Sequence, residues 1–253
     1  MTWWHAVVIF VAGVWAGTIN TVVGSGTLVT FPVLVALGYP PVTATTSNAV
    51  GLIPGTISGS FGYRRELAGQ WGRVGRLAIG SSLGAICGTI LLLSLPARAF
   101  ETIVPLLIGL ALVLVLLQPR MSAWVLARSG ENGRPEHGGP LLWFLVFLIG
   151  IYGGYFTAAQ GVMLMAVMGT LLHEHLQRLN GVKNVLSGVV NMVAGMIYAV
   201  VAPVSWPVIG ILAVGSMLGG LLGAKIGRKL PPRVLRGVIV AIGVAAIIML
   251  VLP

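Results

Sequence analysis

Gly24, Ser25 and Gly26 interrupt an apolar stretch, "NTVVGSGTLVTFP" from Asn20 to Pro32, with residue types that weaken helices. A chain that restarts a helix after such a break leaves its first amides without intrahelical partners. Those amides, with the hydroxyls of Ser25 and Thr27, are the donors that hold an anion at the positive end of a helix dipole. Gly24 and Gly26 tolerate positive φ and let a second backbone come close. Asn20 and Thr21 can donate from the segment before the break. A comparable stretch recurs at Ala158-Ala159-Gln160-Gly161, where the Gln160 side chain and the amides after Gly161 offer the same chemistry.

Two polar pairs, Ser47-Asn48 and Lys183-Asn184, sit inside other apolar runs. Lys183 has two readings. Turned inward, it supplies the charge that balances an anion, at an insertion cost of about 2.5–3.5 kcal/mol for a cation at a helix centre. Turned outward, it snorkels to the interface. Asn184, Ser47 and Asn48 favour the inward reading. Thr45 and Thr46 are weaker candidates, because threonine often bonds back along its own helix.

The elements that position these residues must lie in a membrane. Apolar residues make up 57% of the 253 and charged residues only 8%, against about 25% charged in soluble domains. The runs do not alternate in polarity as barrel strands do. The net charge of +10 comes from residues flanking apolar runs, a mark of membrane orientation and not of nucleic-acid binding. Cys87 is the single cysteine, so no disulfide or metal framework and no cofactor is expected. The opening "MTWWHAVVIFVAGVWAG" lacks a basic leader and reads as a span anchored by Trp3 and Trp4.

Apolar runs are predicted at 3–23, 27–38, 44–63, 74–95, 100–118, 141–160, 162–172, 181–202, 205–224 and 234–252. The polar stretch Gln118 to Pro140 divides them into an N-terminal membrane repeat (1–118), a cytoplasmic linker (119–140) and a C-terminal membrane repeat (141–253). "FVAGVWAGTINTVVGSG" aligns with "FLIGIYGGYFTAAQGVM", pairing Gly13 with Gly150, Gly17 with Gly154 and Gly24 with Gly161. Further on, Ser47-Asn48 pairs with Lys183-Asn184. The Gly13/Gly17 and Gly150/Gly154 spacings read as helix-packing surfaces.

Charge selects the relative orientation of the halves. If each half makes four crossings, both halves face the same way, with seven basic residues on one side and eight on the other. If the short runs 27–38 and 162–172 turn back, the halves become inverted. With the N-terminus outside, all of the fifteen Lys and Arg except Arg98 are then cytoplasmic. The positive-inside rule prefers this arrangement. At 11 to 12 residues the two runs are short for a crossing. The fold class expected is an all-α integral membrane protein of two inverted repeats, each a broken re-entrant helical hairpin plus three transmembrane helices.

The two stretches "AGTINTVVGSGTLVTFPVLVALGYPPVTATTSNAVGLIPGTISGSFGYRR" and "GIYGGYFTAAQGVMLMAVMGTLLHEHLQRLNGVKNVLSGVVNMVAGMIYA" resemble the sulfite exporter TauE/SafE family. The marks are a glycine-rich break, Phe-Pro-x-Leu, and an Asn about twenty residues on, repeated with Lys-Asn in the second copy. The second copy carries fewer glycines at its break than the family pattern has. The resemblance implies a permease of the bacterial inner membrane that moves sulfite, sulfonates or related sulfur oxyanions.

The expected partners are therefore a small anionic substrate and the lipid bilayer, without nucleic acid; a homo-oligomer is admitted as well. The residues expected to hold the anion are Asn20, Thr21, Gly24, Ser25, Gly26, Thr27, Ser47, Asn48, Gln160, Gly161, Lys183 and Asn184. Alternating access is taken from the repeat architecture. An anion channel, or a membrane scaffold without transport, is the alternative; a scaffold needs no polar residues at both breaks. An enzyme is not expected. Ser25 resembles the nucleophile of membrane-embedded serine proteases, yet His5, His137, His173 and His175 lie near ends or in loops, where none serves it as a base. Glu66, Glu101, Glu131, Glu136 and Glu174 also fall in loops or at segment ends. No carboxylate is expected mid-membrane to carry a proton or bind sodium. His173, Glu174 and His175 read as a solvated turn.

Overall fold

A computed structural model describes residues 2–128, 138–226, 237, 239–242, 244–245 and 247–248. Among them the chain is helical and strand-free. The helices are α1 (Trp3–Val22), α2 (Thr27–Ala36), α3 (Pro41–Gly51), α4 (Ile53–Gly62), α5 (Trp71–Ser94), α6 (Ala97–Arg128), α7 (Pro140–Tyr155), α8 (Gln160–Leu171), α9 (Leu176–Val201) and α10 (Trp206–Ile226). The described residues of 237–248 are helical again. Among the described residues five helices are long and apolar enough to cross a membrane: 3–22, 71–94, 98–120, 176–201 and 206–225. α2, α7 and α8 are shorter apolar helices. The protein is an all-α, multi-pass membrane protein.

Local chemistry sets the boundaries. Pro41 and Pro140 open α3 and α7 at positions where a missing amide costs nothing. The single run expected over 44–63 bends at Leu52, because Pro54 has no amide to carry the ladder across. The run expected over 141–160 ends at Tyr155, where Phe156 turns extended. α6 continues through Pro119 to Arg128, so the first part of the expected linker is helical. Glu131, Glu136 and His137 lie outside the described residues.

Glycine faces bring the long helices together. α1 packs on α10 and α7 packs on α5. A methyl group on Gly17 would lie 2.2 Å from the Ser216 carbonyl oxygen, and one on Gly219 2.1 Å from that of Val14. Across α5 and α7, a methyl on Gly88 would lie 2.0 Å from the Ile151 oxygen and one on Gly154 2.4 Å from that of Ala85. The Gly13/Gly17 and Gly150/Gly154 pairs thus serve close packing. α4 lies on α10 and α9 on α5, while α3 and α4 both lie on α9. The outer surface is apolar, with Trp3, Trp71 and Trp206 exposed at helix starts as interfacial anchors.

One end of the molecule is tied by charge. Arg73 of α5 pairs with Glu174, between α8 and α9, at 3.1 Å, and Glu174 also takes Arg178 at 2.8 Å. Arg76 donates to the Gly138 carbonyl at 2.7 Å. Glu174 is therefore half-buried in an ion cluster and not a member of a free, solvated turn. At another point the Ser205 amide donates to Ser47 Oγ (2.8 Å) and Thr46 donates to the Pro203 carbonyl (2.7 Å), fixing the α9–α10 loop on α3.

Candidate functional site

The two helix breaks meet. α1 ends with the Val23 and Gly24 amides both on the Ile19 carbonyl, at 2.7 and 3.0 Å. Gly24 then adopts φ +91°, in the left-handed region that glycine enters without strain. Its carbonyl turns to the second break and accepts the Gly161 amide at 3.1 Å. A methyl on either glycine would lie 2.4 Å from the other's Cα, so neither position has room for a side chain. The junction is sealed on one side by aromatic rings. Phe31 of α2 meets Phe156 of the second break edge-on at 5.2 Å, and Phe100 of α6 stands 6.2 Å from Phe156.

Lys183 lies at this junction. Its side chain is wholly buried, 0% exposed, which excludes the snorkelling reading. Nζ donates to the Asn20 carbonyl (3.0 Å) and the Thr21 carbonyl (2.9 Å). Asn180 and Asn184 add two more donors to the Thr21 carbonyl, each at 3.3 Å. The reason is local. α1 stops at Val22, so its last carbonyls lack amide partners. A cation and two amides from α9 satisfy the negative end of that helix. An ammonium has three N–H donors, and two are used here. No carboxylate touches Lys183 among the described residues, where both of its Nζ contacts are carbonyl oxygens.

The starts of α2 and α8 converge on the same point but differ in what they offer. At α2 the first backbone bonds close from Leu28 to Ser25 and from Val29 to Gly26. The amides of Ser25, Gly26 and Thr27 make no protein hydrogen bond among the described residues. Ser25 Oγ, 0% exposed, has no partner either. At α8 more of the backbone is used: the Gly161 amide is on Gly24, and those of Val162 and Met163 are on Ala159, which leaves the Gln160 backbone amide open. The Gln160 side chain is 1% exposed, and its Oε1 and Nε2 are both without partners. Buried polar groups left unpaired are rare and costly. Two of them, Ser25 Oγ and Gln160 Nε2, can donate, and with a buried cation and three free amides they offer the chemistry of an anion cradle.

The remaining expected residues take other places. Asn48 donates to Thr27 Oγ1 at 3.0 Å and accepts from Thr30, tying α3 to the start of α2. The Thr21 hydroxyl bonds back to Gly17 at 2.9 Å, so Thr21 reaches the junction through its carbonyl alone. Ser47 holds the Ser205 amide and is not brought to the junction. Asn20 is half-buried next to Gly26. Sequence reasoning missed Asn180, one turn ahead of Lys183 on α9, and Tyr198, which donates to the Gly154 carbonyl near the end of α7. The spacing of Asn180 from Lys183 and Asn184, three and four residues, is the signal that could have found it.

The family model for the sulfite exporter TauE/SafE matches residues 9–250. The chain belongs to that family, which is one of membrane transporters. It is 26% identical over 214 residues to a probable membrane transporter protein of Haemophilus influenzae, covering 84% of this chain and 81% of that one. It is 24% identical over 237 residues to the probable membrane transporter protein YfcA of Escherichia coli K12, covering 93% and 86%. It is 25% identical over 245 residues to the probable membrane transporter protein ORF9 of a Sinorhizobium species, covering 96% and 90%. No solved structure matches it significantly.

Proposed function

We propose that the protein carries small anions, sulfite, sulfonates or related sulfur oxyanions, across the bacterial inner membrane by alternating access about the two breaks. The observation that carries this reading is the Gly24–Gly161 junction, with a fully buried Lys183 beside it and no carboxylate against it among the described residues. A cation held this way favours an anion as its partner. The Ser25, Gly26 and Thr27 amides, Ser25 Oγ, the third N–H of Lys183 and the Gln160 amide replace the water that the anion leaves behind. That the anion carries sulfur rests on the family alone.

Two halves in opposite orientations supply the motion. The α1–α10 and α7–α5 pairs are alike in packing, as inverted repeats that rock about a shared midplane site would be. The Arg73–Glu174 pair also bears on orientation. It brings the α4–α5 and α8–α9 loops to one end, as the re-entrant arrangement requires. Two parallel halves of four full crossings each would separate those loops by the bilayer. Without a carboxylate near Lys183, the anion moves down its own gradient or brings its proton with it.

The test is uptake into proteoliposomes of the purified chain, with sulfite, thiosulfate, sulfate, sulfoacetate and taurine offered in turn. Saturable flux of at least one anion is expected. Flux that rises linearly with concentration would favour a channel, and no flux of any of them would favour a scaffold.

A further inference from the structure

We propose that the site is longer than its anion cradle: the face of α9 beyond Lys183, carrying Ser187 and Asn191 beside Gln160, is a second subsite that hydrogen-bonds an uncharged polar end of an organic anion. This rests on the anion-carrier reading and narrows it to substrates with a head and a tail.

Ser187 and Asn191 follow Lys183 by four and eight residues, so all three share one face of α9. At 1.5 Å per residue they lie about 6 and 12 Å further along the helix. Both are buried, and Ser187 Oγ and Asn191 Oδ1 have no hydrogen-bond partner. The face does not run out into lipid. At its far end Tyr198 donates to the Gly154 carbonyl of α7. Between these ends lies Gln160: a methyl on Gly153 would sit 2.6 Å from Gln160 Oε1 and 3.0 Å from Val190 Cγ1. The unpaired Gln160 amide therefore packs at the level of α9 where Ser187, Val190 and Asn191 stand.

Many helical hydroxyls elsewhere in this protein are paired, although those of Ser81 and Thr89 on α5 are left open as well. Thr18, Thr21, Ser60 and Thr170 each bond back to the carbonyl four residues earlier, and Ser58 and Ser216 bond to the carbonyl three residues earlier and across to a neighbouring helix. Ser187 could do the same and does not. Three unpaired, uncharged groups in one place beyond the cation fit a hydroxyl, amide or similar polar tail. They carry no charge to hold a second anionic group.

Two anions of equal charge and nearly equal size test this: propane-1-sulfonate and 3-hydroxypropane-1-sulfonate, each competing for uptake or binding in the purified full chain. The hydroxyl compound is expected to bind about tenfold more tightly, the factor that one buried hydrogen bond supplies. Ser187→Ala and Asn191→Leu should each move that ratio toward one. A merely structural role for these residues would change both affinities together and leave the ratio intact. A ratio of one in the unaltered chain, or a ratio kept in both variants, overturns the second subsite. If sulfite binds and neither sulfonate does, the second subsite falls and the anion carrier stands. If no anion binds at all, both fall.

Discussion

The Gly161 amide donates to the Gly24 carbonyl across 3.1 Å, joining two chain breaks that are 137 residues apart in sequence. Each glycine leaves space that the other's backbone fills. The contact places α1, α2, α7 and α8 around one point, with α9 delivering Lys183 to it.

Gly24→Ala and Gly161→Ala should both destabilise the protein, by roughly 2–3 kcal/mol, as over-packing against an unyielding backbone does. Gly38 is the control. Its φ of +87° is similar to that of Gly24, yet a methyl there meets nothing within 4 Å. Gly38→Ala should cost only the backbone strain, about 1 kcal/mol. Thermal melting in detergent measures all three, and equal losses for Gly24 and Gly38 would show that close approach is not what matters.

Lys183→Met should fold, because Asn180 and Asn184 still serve the Thr21 carbonyl and only that of Asn20 is left open. A stability loss of about 1–3 kcal/mol is expected from that one group. Anion uptake should fall at least tenfold, about 1.4 kcal/mol or more. Proteoliposome flux at several concentrations checks this, and normal flux would leave Lys183 as a helix cap alone.

Glu174→Gln removes one partner of an Arg73 side chain that is only 6% exposed and also donates to Gln70 Oε1 at 2.8 Å. A loss of roughly 1.5–3 kcal/mol is expected, in the range of a hydrogen bond to a charged group. Adding Arg73→Gln should then cost less than it does alone, because the two residues act as a pair. Strict additivity of the two melting shifts would dissolve that pairing.

The inverted orientation predicts which loops face out. In a chain whose Cys87 is first replaced by serine, a cysteine at Thr2 or Pro40 should react with an impermeant thiol reagent in whole cells. One at Ala68 or His175 should react only after permeabilisation. All four positions are exposed. Labelling of Ala68 and His175 from opposite sides would separate the two loops that Arg73 and Glu174 join.

Both breaks were legible in the residues, since Gly-Ser-Gly in an apolar run has no better use, and the repeat picked out its partner. The helix-packing glycines were legible too, by spacing. Faces were harder to read. Sequence shows that Asn48 and Thr27 are polar, but only packing shows that they satisfy each other and so have less to offer a ligand. Thr21 was chosen for a hydroxyl that bonds back to Gly17, while its carbonyl is what matters. The amides after Gly161 looked equivalent to those after Gly24. They are not, because the second helix closes on Ala159 at once, and the unpaired side chain there is that of Gln160.

The glycine interlock of α1 with α10 has a consequence for how the protein is made. About 200 residues separate the two faces, so α1 leaves the ribosome long before its partner exists. Until then Thr18, which bonds across to the Gly219 carbonyl, must make do with its own helix. α5 and α7 are closer in sequence and can dock much sooner, so the core of the molecule is expected to assemble from the middle outward, with the N-terminal helix inserted early and seated late.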